Sequence, residues 1–176
     1  MAELNVIPLR GVNDIHFGAD SARVHRTLGK PEKSSENREL SQSNKDFLMD
    51  VCKRMSEMSG RPLSDYTKYI DSDDYDPVPP DENNDYYDFC RVDYDKKGCF
   101  ECIEIYADED VKLTVDGKDC SDFNLQTLLT LADDFVEEED GAAWASESKQ
   151  IGIWCPDGKV ECILFGRSGY YDQLKD

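Results

Sequence analysis

Gly98-Cys99-Phe100-Glu101-Cys102-Ile103-Glu104-Ile105 aligns without a gap on Gly158-Lys159-Val160-Glu161-Cys162-Ile163-Leu164-Phe165. The offset is 158 − 98 = 60, and both stretches share Gly-x-(Phe/Val)-Glu-Cys-Ile. A glycine turn leading into a short apolar run is the pattern of a strand entered from a hairpin. Each copy is preceded by another strand-like run and, further back, by helix-like sequence. The chain therefore reads as two α-then-β units, over about 8–115 and 116–170. The expected fold is α+β, a single compact domain over 1–176. Its two helix-then-antiparallel-strand units join edge to edge in one sheet, with helices packed on one face. The other face is left to solvent or to a ligand.

Working outward, Asp20 or Ser21 is placed to cap a short helix ending at Leu28, with Val24 and Leu28 on one face and Gly29 and Pro31 closing it. A second helix is expected from Ser43 to Met58, where Phe47, Val51, Met55 and Met58 recur at helical spacing as a core stripe. Phe89–Asp95 alternates with Cys90, Val92 and Tyr94 on one side, and Lys96-Lys97-Gly98 turns it back into Cys99–Ala107. Val111–Val115 is closed by Asp116-Gly117, the dipeptide of a tight hairpin. Asp122 is positioned to cap a helix over 123–137, with Leu125, Leu128, Leu129, Ala132, Phe135 and Val136 as its apolar face. The last third is β again: 143–147, 151–155 and 159–165. At the front, Val6–Pro8 reads as short and extended, and Gly11–Gly18 as a turn with a short β-like piece.

The 176 residues carry 39 acids and 20 Lys or Arg, a net charge of 20 − 39 = −19. Such a chain is repelled by phosphate backbones and anionic lipid, so direct nucleic-acid and membrane partners are set aside. A basic protein surface or a cation is favoured. The start, MAELNVIPLRG, has no basic segment leading into an apolar stretch, and no run approaches the ~20 apolar residues of a membrane span. The seven cysteines sit mostly in apolar runs. They read as reduced, buried thiols of a cytoplasmic protein.

The N-terminal pattern Gly11-x-x-x-Ile15-x-Phe17-Gly18, then Val24, then Leu28-Gly29-x-Pro31 resembles the opening motif of the SmpA/OmlA small outer-membrane lipoproteins. It also resembles that of the β-lactamase inhibitory proteins, which duplicate the unit. The resemblance implies helices on an antiparallel sheet, a protein-binding role and no catalytic residues. The chain departs from both families in lacking a lipobox cysteine and an export signal. In size, acidity and α+β build it is also similar in style to bacterial immunity proteins.

Cys99 and Cys102 have C-x-x-C spacing but fall in a strand, where a separation of three puts them on opposite faces. His16 and His25 are the only histidines, so neither zinc nor a redox motif is assigned. Asp71-x-Asp73-Asp74-x-Asp76 begins like a calcium loop, with Glu82 at the twelfth position. Asp76 occupies the glycine position, however, and Pro77, Pro79 and Pro80 crowd the loop. No P-loop, dinucleotide fingerprint or nucleophile elbow is present. No catalytic residue, metal or cofactor is expected.

What stands out is residues 71–88, with eight acids, three tyrosines, three prolines and no base, expected to be a loop. Acids steer a basic partner and tyrosines anchor it. The candidate partner-binding residues are Asp71, Asp73, Asp74, Tyr75, Asp76, Asp81, Glu82, Asp85, Tyr86 and Tyr87, with the second cluster Glu137, Glu138, Glu139 and Asp140. The functional expectation is an immunity or inhibitor protein that occludes the active site of a basic, nuclease-like bacterial toxin. The alternatives are a phage-type nucleic-acid mimic directed at a host defence protein, and a cation-binding module.

Overall fold

The computed structural model describes residues 1–34, 42–67, 83–107 and 110–172. The chain divides into two compact units, Met1–Ser34 with Asn83–Asp176, and Ser35–Glu82, where the sequence reading expects one.

In the larger unit the first strand, β1 (Ala2–Ile7), is longer than the expected 6–8. It hairpins through β2 (Gly11–Val12) to β3 (Ile15–His16) and pairs in parallel with β8 (Val111–Val115), Leu4 opposite Leu113 and Val6 opposite Val115. Leu4 and Val6 are buried while Asn5 is exposed, an alternation that pays only beside β8. From β8 the chain turns through Asp116 and Gly117, both at positive φ (47° and 81°), into β9 (Lys118–Asp119). Two left-handed residues give the hairpin the twist of its strands, as the Asp-Gly dipeptide predicts. This sheet has the order β3-β2-β1-β8-β9.

Helix α1 (Ser21–Leu28) forms where expected: Asp20 Oδ1 accepts the Arg23 amide at 2.8 Å, and Val24 is fully buried. The expected helix over 123–137 is corrected. Only α4 (Leu125–Leu128) and a 3-10 turn over 129–131 form, capped by Asn124 and not by Asp122. Two turns suffice to bury Leu128. The chain then extends because Asp134 is captured by the Ser146 and Ser148 hydroxyls at 2.6 and 2.8 Å. The following residues, expected on the helix's apolar face and end, become strand β10 (Val136–Glu138).

The second sheet has eight antiparallel strands, so the expected single sheet is instead two. Beyond β10 its strands are β4 (Lys33–Ser34), β5 (Asn84–Tyr86), β6 (Cys90–Tyr94), β7 (Phe100–Tyr106), β11 (Ala143–Ser146), β12 (Ile151–Trp154) and β13 (Cys162–Gly166). Their order is β10-β11-β12-β13-β7-β6-β5-β4. The two quoted repeats meet at the centre, with Ile103 opposite Phe165 and Ile105 opposite Ile163. One row across this sheet, Ile151, Phe165, Ile103, Val92 and Asp85, is fully or almost fully buried. It joins Leu4, Val6, Leu113, Val115, Val24 and Leu128 in one core between the elements. A register shift at Asp93/Tyr94 lets Phe100 turn inward.

In the smaller unit, α2 (Gln42–Ser59) and α3 (Ser64–Thr67) are joined by a turn in which Ser56 Oγ donates to the Arg61 carbonyl at 2.6 Å and Tyr66 Oη to Ser59 Oγ at 2.6 Å. The expectation that the stripe of α2 is core fails at its end: Met55 is 49% and Met58 89% exposed. The side chains of Phe47, Leu48 and Val51 lie outside the described residues. Among the described residues no helix is long and apolar enough to cross a membrane.

Candidate interaction surface

In an antiparallel sheet the register decides which side chains share a face. The neighbour of the buried row runs Val136, Ala145, Gly152, Leu164, Glu104, Arg91, Tyr86 and Lys33, through all eight strands. None of these is core. Val136 is 61% and Tyr86 37% exposed. Two residues along the strands, a parallel row of the same outer face holds Glu138, Ala143, Trp154, Cys162 and Tyr106. Trp154 is 38% exposed.

Ion pairs organise the middle of this face. Arg91 donates to Asp93 at 2.9 Å and reaches Glu104 at 3.2 Å. Burial opposes the arginine's charge, and the two carboxylates outweigh it. Cys162 Sγ donates to Glu104 Oε1 at 2.9 Å, and burial together with that carboxylate pushes its thiol up. Tyr106 is pushed up to about 12 by burial and by Glu104. One end of the face is covered by residues 167–171. Arg167 grips Glu101 with two bonds of 2.8 and 3.0 Å, and Gln150 Oε1 accepts the Tyr171 amide at 2.7 Å. Tyr170 and Tyr171 lie over Gly166 and Gly152, where any β-carbon would collide with them.

Acids rim both edges. Glu137 and Glu138 are exposed on β10. Beside Tyr86, the hydrogen bond and the like charge of Asp88 push the Glu32 carboxyl up, as expected where two acids crowd.

The candidate residues separate accordingly. Asp71, Asp73, Asp74, Tyr75, Asp76, Asp81 and Glu82 lie outside the described residues. Residues 84–86, expected as loop, form β5 because they pair with β6 on one side and β4 on the other. Tyr86 lies on the outer face. Asp85 and Tyr87, expected at the surface, are only 1% and 6% exposed. Asp85 is one step from Tyr86 on a strand and so faces the core. There its Oδ2 accepts the Tyr94 hydroxyl at 2.5 Å and meets His25 Nε2 at 2.6 Å. Burial and the Asp85 bond push the Tyr94 hydroxyl up. Glu137 and Glu138 belong to an edge strand; Asp140, exposed, and Glu139 lie in the turn after it. Sequence reasoning missed Tyr106, Trp154, Leu164 and Glu104 as surface. Their alternation with Ile105, Ile153 and Ile163 was the available signal.

Among the described residues no three His, Cys, Asp or Glu gather in a way that could hold a metal. No protein-family model, curated protein or solved structure matches the chain.

Proposed function

We propose that this chain is an acidic binding protein of the cytoplasm, an immunity or inhibitor protein that occludes the active site of a basic, nuclease-like toxin. The observation that carries the reading is the outer face of the eight-stranded sheet. It offers exposed Trp154, Tyr86 and Val136 between acidic edges, on a chain of net charge −19. Exposed aromatics on a rigid sheet provide contact area at low entropic cost, and the acids speed encounter with a cationic cleft. A nuclease must carry such a cleft to hold phosphate.

The resemblance to the duplicated inhibitory proteins, and the duplication itself, are part of this proposal. The central register supports duplication: exchanging Ile103 with Ile163 and Ile105 with Phe165 returns the same pairs. The acids at 71, 73, 74 and 76 would add steering from the inserted segment.

The test is co-expression with the product of the gene directly upstream. The expected result is a 1:1 complex in which that protein's hydrolysis of plasmid DNA is abolished, with an association rate that falls steeply with salt. Replacing Asp71, Asp73, Asp74 and Asp76 together by Asn is expected to slow association and flatten its salt dependence. An upstream product that neither binds at low salt nor loses activity would overturn the proposal. Complex formation only with a host nucleic-acid-binding defence protein would favour the mimic in its place.

A further inference from the structure

We infer that Trp154 and Tyr106 are the two walls of a slot for an arginine side chain, a deepening of the docking reading above. Trp154 pairs with Cys162, and Cys162 with Tyr106, so the two aromatics stand on either side of one small residue on the same face. Strands are about 4.8 Å apart, so their α-carbons are separated by about 9.6 Å. A flat group in van der Waals contact with a ring on each side needs roughly 7 Å between the ring planes. The α-carbon spacing is wide enough to admit such a group between the two side chains. Trp154 is 38% exposed, and its cross-strand partner on the far side is the small Ala143. The floor is the Cys162 thiol, already committed to Glu104 at 2.9 Å.

Charge selects the occupant. Glu104 stands two residues before Tyr106 on the same face, and Glu138 closes the row on the far edge. A second copy of this chain would bring another −19 to the site and is repelled. Between the basic side chains, the guanidinium is planar, weakly hydrated and stacks on aromatic faces while its edges reach carboxylates. The ammonium of lysine is compact and strongly hydrated. The slot therefore discriminates for arginine on the partner's surface.

Hexa-arginine and hexa-lysine peptides, equal in charge, are the probes. Binding at low salt is read by calorimetry and by quenching of tryptophan fluorescence in the full chain, the Trp154 share being the part lost in Trp154→Phe, which leaves Trp144 alone. Hexa-arginine is expected to bind about tenfold more tightly than hexa-lysine, the ratio a desolvated cation–π pair provides. Trp154→Ala and Tyr106→Ala each bring the two peptides to within about twofold, and Trp154→Phe keeps most of the preference. Equal affinities in the parent chain, or an arginine preference surviving in both alanine variants, would overturn the slot. In either case the complex with the upstream product remains a separate result, so failure of the slot is distinguishable from failure of the docking reading.

Discussion

His25 Nε2 lies 2.6 Å from Asp85 Oδ2 across 60 residues of sequence, and the same oxygen accepts the Tyr94 hydroxyl at 2.5 Å. The carboxylate is 1% exposed, the imidazole 34%. A helix, an edge-side strand and its neighbour are thereby tied at one atom.

Asp85→Ala removes the acceptor from two donors, one of them fully inside. A loss of about 2–3 kcal/mol is expected, since a buried donor left without a partner costs its desolvation. Asp85→Asn, which keeps one acceptor oxygen, is expected to cost about half as much. Urea unfolding measures this as a lower midpoint at unchanged slope. A midpoint within error of the parent for Asp85→Ala would show that the network adds nothing.

Asp134 gives a pH-dependent counterpart. The Ser146 hydroxyl, the Ser148 amide and the Ser148 hydroxyl lower its carboxyl to about 2. A group depressed in the folded state stabilises above its unfolded value, near 3.9, and that contribution fades as pH falls toward 2. Asp134→Asn is expected to melt below the parent at pH 7, with the gap narrowing steadily between pH 4 and pH 2. A gap independent of pH would assign the loss to shape alone.

Gly166→Ala places a methyl group 2.6 Å from the Tyr170 β-carbon. The tyrosine must lift away, at a cost of about 1–3 kcal/mol for overpacking. Tyr170 also hydrogen-bonds Cys102, so its displacement uncovers that thiol. The variant is expected to show both a lower melting temperature and faster alkylation of Cys102. Parent-like behaviour in both would mean that the terminal turn does not cover the sheet.

The thiols themselves are expected to differ in reactivity. Burial raises Cys90, Cys102 and Cys162, and the Asp93 and Glu104 carboxylates beside the last two raise them further. At pH 8 they hold almost no thiolate, the reactive form. Mass spectrometry after brief iodoacetamide treatment is expected to find Cys99 modified before any of these three. Early modification of Cys102 would contradict the packing described.

Local signals were legible wherever one chemical feature decides a local conformation. Asp20 caps α1, Gly29 and Pro31 follow it, Asp116-Gly117 turns β8 into β9, and Cys90, Val92 and Tyr94 alternate as read. The repeated Gly-x-x-Glu-Cys-Ile was legible too, as two strands. The helix read from Leu125 holds to Leu131, and Ala132–Val136 was misread because its spacing suits a continued helix. Only the serines at 146 and 148, on another hairpin, draw Asp134 out of it.

By itself, then, the sequence determined the Asp20 cap, the Asp116-Gly117 turn and the central strands of the larger sheet, and a charge that favours basic partners, because these depend on neighbours a few residues apart. It could not determine which strands lie side by side. The tertiary structure decided that β1 pairs with β8 to found a second sheet, and that the repeats meet at the sheet centre. It also decided which side of one strand Asp85 and Tyr86 each take. A one-residue step reverses the face of a strand, and only long-range pairing says which face is covered by the core. That same pairing sets Trp154 and Tyr106 on either side of Cys162, 48 residues apart in the chain (154 − 106 = 48) and two strands apart in space.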